Sequence, residues 1–133
     1  MQRRVLLSKI HRATVTGACV DYEGSITIPP ELLSESDIYP YEAVWVWNVT
    51  RGTRFETYAI SGQEDSNDIC VNGAAAHLVE IGDKVIIACF GSIAEGAIKQ
   101  HQPKLVFVDG DNRSTGSRSE VPGPLESPWK ASA

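Results

Sequence analysis

Short apolar runs separated by polar turns dominate the chain, and few of them carry a helical period. Residues 5–10 are apolar enough for a strand. Residues 12–20 alternate loosely through Val15 and Ala18, with the β-favouring Thr14 and Thr16 between them. Further strands are predicted over 25–28, 43–49, 53–60, 69–71, 84–90 and 105–108. The strongest is 43–49, where Val44, Trp45, Val46 and Trp47 follow one another. Residues 48–52 read as a hairpin connection with Gly52 at its turn, and Gly82-Asp83 as a turn just before Lys84. Helical signals are brief: 29–33, with proline near the first position, then 73–78 and 92–100. No repeat recurs at solenoid spacing.

Many short strands at close spacing predict a mainly β fold, and closure into a small barrel is the economical arrangement because it removes exposed sheet edges. Beyond Asn112 the composition turns to Ser, Gly, Pro and Arg, with little to bury. The expected organisation is one domain over 1–112 and a flexible, disordered tail over 113–133, in which the isolated Trp129 stays exposed.

Composition narrows the function classes. A chain of 133 residues fits one domain, and 42% apolar residues suffice for a core. The net charge of -5 argues against a nucleic-acid binder, whose contact face is usually basic. The three cysteines, Cys19, Cys70 and Cys89, form no CxxC or Cys/His metal spacing and read as free buried thiols of a reducing compartment. His11, His77 and His101 show no ligand pairing either, so no metal is expected. The apolar run after Met1-Gln2-Arg3-Arg4 is too short for a signal peptide, and 85–90 is too short to span a bilayer. A cytoplasmic protein is the expectation, and Asn48 and Asn112, although in Asn-x-Ser/Thr sequences, carry no glycan implication there.

Glu23-Gly24-Ser25 by itself reads as a hairpin turn. The blocks around it change that. Lys9-Ile10-His11-Arg12 precedes Asp21-Tyr22-Glu23-Gly24-Ser25-Ile26-Thr27-Ile28. Trp47-Asn48-Val49-Thr50 follows, then Gly52, Arg54 and Thr57-Tyr58-Ala59-Ile60. Next come Val71-Asn72-Gly73-Ala74-Ala75-Ala76-His77 and Gly82-Asp83-Lys84-Val85-Ile86-Ile87. Over residues 1–112, in order and spacing, this resembles the pyruvoyl-dependent aspartate decarboxylases. The resemblance implies a double-psi β-barrel assembled as a homotetramer. It also implies a precursor that cuts itself between Gly24 and Ser25 into 1–24 and 25–133, and a lyase that converts L-aspartate to β-alanine and carbon dioxide for pantothenate and coenzyme A. Whether an activating protein is needed is left open. One departure is Arg51, where the family often has Asn, which bears on the turn rather than on catalysis.

The chemistry explains why such residues are needed. Decarboxylation leaves electron density on the α-carbon, and no ordinary side chain accepts it. A ketone does, through a Schiff base with the substrate amine. The resemblance implies that Ser25 becomes that ketone, a covalent pyruvoyl group, with neither metal nor pyridoxal phosphate. Gly24, lacking a β-carbon, is expected to hold a strained turn and leave its carbonyl open. Thr57 is implied as the self-processing helper, binding the oxyanion formed on attack, and Tyr58 as the proton donor to the carbanion. Neighbours on a strand face opposite ways, so Thr57 and Tyr58 serve one site only through a bulge, a strand end or a site shared between subunits; the resemblance implies the last.

Arg54 is the candidate for a substrate carboxylate, since guanidinium presents a planar fork; a surface pair with Glu56 is the bland reading. The α-carboxylate loses its charge in the transition state, so Arg54, helped by Lys9, is expected on the side-chain carboxylate. Asn72, Gly73, Ala74 and Ala75 are expected to wall the pocket and, with Thr57, to bind substrate, with His11, Tyr22, Trp47 and Ile86 as further lining. Two other classes compete. A Ser25/His11 or Ser25/His77 hydrolase lacks the G-x-S-x-G elbow, because position 23 is Glu. An unprocessed, non-catalytic barrel that binds a ligand would show no cut at Gly24–Ser25.

Overall fold

The computed structural model describes residues 1–122. In chain order the elements are β1 (Gln2–Thr14), β2 (Gly17–Cys19), β3 (Ser25–Ile28), α1 (Pro30–Ser36), β4 (Ala43–Asn48), β5 (Arg54–Ser61), β6 (Cys70–Asn72), β7 (Lys84–Ala94), β8 (Lys104–Val108) and β9 (Ser114–Ser119), with 3-10 segments over Gly73–Leu78 and Glu95–Gln100. The fold is mainly β with a few short helices, as the pattern of short apolar runs predicts. The calls on residues 123–133, Trp129 among them, lie outside the described residues.

The strands form one sheet in the order β2-β6-β3-β5-β4-β7-β1-β8-β9. No ladder joins β2 to β9, so hydrogen bonds do not close the sheet. It is nevertheless forced to curl. β1 and β2 are nearly continuous in sequence, yet β1 lies between β7 and β8 while β2 forms the far edge beside β6. The link is short: Thr16 and Gly17 already donate to the Ile69 carbonyl. One segment therefore runs from inside one half of the sheet to its opposite edge, around a common core.

That core is the inner face of the alternating strands. Ile10, Ile26, Val46, Val71, Ile87 and Val106 are fully buried there. Each such side chain contributes roughly 1.5–3 kcal/mol relative to exposure. The outer face of β4 and β7 carries Trp45, Trp47, Ile86 and Phe90, all only partly covered.

Four expectations about secondary structure and burial need correction. The strands expected over 5–10 and 12–20 are largely one strand, β1, because its pairing with β7 absorbs a register shift between Ile10 and Ala13, where Arg12 takes φ 65°. The helix expected over 92–100 starts only at Glu95, since β7 continues to pair Ala94 with Gln2. The tail expected from 113 begins instead with β9, which runs antiparallel to β8 from Val108↔Ser114 to Lys104↔Ser119. An edge strand needs backbone partners rather than apolar side chains, which is why composition did not reveal it. Asn112 (φ 59°) makes the turn before it. Its buried amide donates to the Thr14 and Asn67 carbonyls and accepts from the Thr14 N–H. Cys19, expected buried, is exposed, whereas burial pushes the Cys89 thiol up to about 11.

No helix among the described residues is long and apolar enough to cross a membrane.

Candidate active site

Ser25 opens β3 directly opposite Asn72, the last residue of β6. It is only 2% exposed. The Asn72 amide donates to its hydroxyl at 3.0 Å, and the hydroxyl donates to the Glu23 carbonyl at 3.3 Å. The same amide reaches the Thr27 hydroxyl at 3.3 Å, which adds Thr27 to the residues read from the sequence. No hydrogen bond joins the Ser25 hydroxyl to His11 or His77 among the described residues.

The unusual backbone lies at Gly73, not at Gly24. Gly73 takes φ 80°, while Gly24 is not in the left-handed region. A β-carbon on Gly73 would stand 2.6 Å from the Gly24 α-carbon, 2.8 Å from its nitrogen and 3.3 Å from the Tyr22 carbonyl oxygen. A β-carbon on Gly24 would meet nothing nearer than 4.0 Å. The glycine that the packing demands is therefore the one pressed against the Gly24–Ser25 segment. The 3-10 segment that starts at Gly73 leaves Ala74 exposed and packs Ala75 on the core. Tyr22 is mostly exposed, and its carbonyl rather than its ring meets Gly73.

β3 and β5 run parallel, with Ile26 opposite Ala59. Thr57 and Tyr58 therefore lie alongside the segment that leads into Gly24–Ser25. They face opposite ways, as strand geometry requires. Phe55 and Ala59 are buried inward with Thr57 on their side, while Arg54, Glu56 and Tyr58 face outward. Thr57, Tyr58, Glu56, Tyr41 and Ala43 line an open cleft of about 440 Å³. Concavities of about 350 and 780 Å³ flank α1 and contain none of the candidate catalytic or substrate-binding residues.

Arg54, Trp47 and Ile86 form a row across β5, β4 and β7, since Trp47 is the cross-strand partner of both others. The Trp47 ring also packs edge-on against Phe90, with centroids 6.2 Å apart. No Arg54–Glu56 ion pair forms among the described residues. Lys9 does not join Arg54 within the chain, because β4 and β7 intervene. Its ammonium instead pairs with Glu120 at 3.1 Å, just beyond β9. His11 packs edge-on against Phe107. Burial, with Lys9, Arg12 and Arg118 nearby, lowers its pKa and favours the neutral ring.

Arg51, the departure in the 48–52 turn, has a role there. Its guanidinium grips Asp83 at 2.6 and 2.9 Å and Glu80 at 3.1 Å. Asn48 donates to Asp83 at 2.8 Å and caps the Thr50 and Arg51 N–H groups with its own oxygen. Arg51, followed by the Asn48 amide, holds the Asp83 carboxyl well below the usual carboxylate range. Gly52, at φ 77°, completes the turn. The hairpin carrying Trp47 and Arg54 is thereby tied to the start of β7.

Residues 1–115 match the aspartate decarboxylase family. The chain belongs to that family. The aspartate 1-decarboxylase of Legionella pneumophila (strain Lens) is 64% identical over 118 residues, covering 89% of each chain. That of Syntrophotalea carbinolica is 59% identical over 92% of this chain and 94% of its own length. That of Rhodopirellula baltica is 57% identical over 92% of this chain and 78% of its own. In these aspartate decarboxylase terms, the described residues hold no cluster of three or more His, Cys, Asp or Glu side chains suited to a metal ion. The site's distinctive group is the Ser25 hydroxyl held by Asn72, with Gly73 packed against the neighbouring Gly24.

Proposed function

We propose that this chain is an aspartate 1-decarboxylase that matures by cutting itself at Gly24–Ser25 and then converts L-aspartate to β-alanine and carbon dioxide. The observation that carries the reading is the Ser25 hydroxyl, buried and oriented by Asn72 at 3.0 Å within a family of decarboxylases. The maturation step balances as follows. The Ser25 oxygen bonds to the Gly24 carbonyl carbon while the amide C–N bond breaks, giving an ester and a free amine. The Ser25 α-carbon then loses its proton and the Cβ–O bond breaks, leaving Gly24 as a carboxylate and a dehydroalanine. Water replaces nitrogen, ammonia leaves, and a pyruvoyl group remains at position 25. That group supplies the electron sink that decarboxylation requires.

The chain's own residues supply the rest. Asn72 fixes the hydroxyl for attack, and Gly73 holds Gly24 in place. Thr57, beside the segment leading into the scissile bond, stabilises the oxyanion of the attack. Tyr58 returns a proton to the substrate α-carbon. Arg54 binds the side-chain carboxylate, which persists into β-alanine, and Lys9 assists it.

Arg54, Tyr58 and Lys9 all lie away from the core within one chain, with the partly covered Trp47, Ile86 and Phe90 on the strands between. This supports a site shared between copies in a homotetramer, where a second subunit covers the apolar face and brings its cations toward Ser25. A cytoplasmic place in pantothenate and coenzyme A synthesis accords with the family.

Intact mass under denaturing conditions tests the reading first. Fragments 1–24 and 25–133, the larger lighter by one ammonia than its serine-started form, together with aspartate turnover, are the expected result. A single uncut chain without turnover would replace it with the unprocessed binding barrel.

A further inference from the structure

Tyr41 adopts φ 73°, in the left-handed region that bulky side chains rarely occupy. The residue is 78% exposed, so burial does not compensate the strain. Backbone bonding does not explain the residue type either. The Tyr41 N–H donates to the Ala59 carbonyl at 2.7 Å, and the Ala59 N–H donates to the Glu42 carbonyl at 3.0 Å. A glycine at this position would make the same bonds without the strain. A strained residue that the fold does not require points toward function.

What tyrosine adds is a ring, and the ring stands beside Tyr58. Their centroids are 6.3 Å apart and their planes tilted by 30°. Tyr58 needs such a neighbour. It faces outward on β5, is 37% exposed, and its cross-strand partner on β4 is Ala43, which offers only a methyl group. Without a wall on that side, a phenol on an open strand face samples rotamers that point away from the site. Tyr41 and Tyr58 line the same cleft as Thr57.

We infer that Tyr41 is a positioning residue for the decarboxylation: its ring holds the Tyr58 phenol in the orientation from which the proton is delivered. The inference rests on the reading of Tyr58 as the proton donor. Tyr41 lies off the Arg54–Trp47–Ile86 row, so its ring governs the chemical step and leaves substrate affinity alone.

The test uses fully processed holoenzyme, with activity expressed per cleaved subunit. Tyr41→Gly, Tyr41→Phe, Tyr58→Phe and the double variant Tyr41→Gly/Tyr58→Phe are compared by steady-state kinetics, melting and native mass. Tyr41→Gly is expected to lower kcat about three- to tenfold, with KM essentially unchanged. Its Tm is expected to rise by about 2–4 °C as the strain is released. Tyr41→Phe, which keeps the ring, restores kcat. In the Tyr58→Phe background, Tyr41→Gly has no further effect. A purely structural tyrosine would lose Tm and kcat together, and that result overturns the inference. So does an unchanged kcat, a Tyr41→Phe variant as slow as Tyr41→Gly, or a loss of activity that follows dissociation of the assembly. If Tyr58→Phe retains full kcat, the proton-donor reading falls and this inference with it. If Tyr58→Phe is inactive while Tyr41→Gly is not slowed, only the inference about Tyr41 falls.

Discussion

Asn72 donates a hydrogen bond of 3.0 Å to the Ser25 hydroxyl across the β3–β6 pair, and the hydroxyl's own proton points to the Glu23 carbonyl. On the proposed self-cleavage, this bond holds the Ser25 oxygen in place before it attacks. Asn72→Ala is therefore expected to slow self-cleavage about tenfold, the worth of one well-placed bond. Ser25→Ala should abolish cleavage. Intact mass followed over time after translation reads both, and cleavage of Asn72→Ala at the wild-type rate would remove Asn72 from the maturation step.

Gly73→Ala should be far more damaging than its size suggests. The added methyl would stand 2.6 Å from the Gly24 α-carbon on a backbone at φ 80°. The obstacle is main chain rather than a flexible side chain, so the expected cost is about 2–4 kcal/mol. Chemical denaturation measures it, and uncut chain should accumulate as the Gly24–Ser25 segment is displaced. Gly24→Ala, with nothing nearer than 4.0 Å, should fold with little loss.

The two cations predict a division of kinetic effects. If Arg54 holds the carboxylate that survives the reaction, it binds ground and transition states alike. Arg54→Ala then raises KM for aspartate about 10- to 100-fold with a smaller change in kcat. Lys9 is occupied by Glu120 at 3.1 Å, a carboxylate of the same kind as the substrate's. Glu120→Gln should release it and lower KM about two- to fivefold, the range of a partly exposed pair. A higher KM in Glu120→Gln would mean that Glu120 orients Lys9 instead of competing for it.

Acid should destabilise the protein through Asp83. Its folded-state pKa is depressed, so its contribution is complete above the unfolded carboxylate value of about 4. That contribution is lost as pH falls through that value toward the lower folded one. Melting followed from pH 7 to pH 3 should show Tm falling most steeply below about pH 4. Asp83→Asn should lower Tm at pH 7 and flatten that slope, because Arg51 and Asn48 lose their anionic partner. An Asp83→Asn curve parallel to wild type would assign the acid sensitivity elsewhere.

The sequence by itself determined the class of the fold, the hairpin at Gly52 and the turn at Gly82. Each of these is local. Alternation names a strand's buried face, and a left-handed turn selects glycine within a few residues. The ordered blocks from Lys9 to Ile87 carried the resemblance to the aspartate decarboxylases, and with it the expectation that Ser25 is the reacting residue.

What only the tertiary structure decided depends on which strands lie side by side, and alternation carries no record of that. Gly73 bears the constraint expected of Gly24 because β6 brings it against the Gly24–Ser25 segment. Lys9 and Arg54 are parted because β4 and β7 come between them. β9 forms through backbone pairing with β8, a driving force that side-chain composition does not encode. Tyr41 was passed over because nothing in its sequence neighbourhood betrays a positive φ. Its backbone is set by the bond to Ala59 across the fold, and that bond puts its ring beside Tyr58.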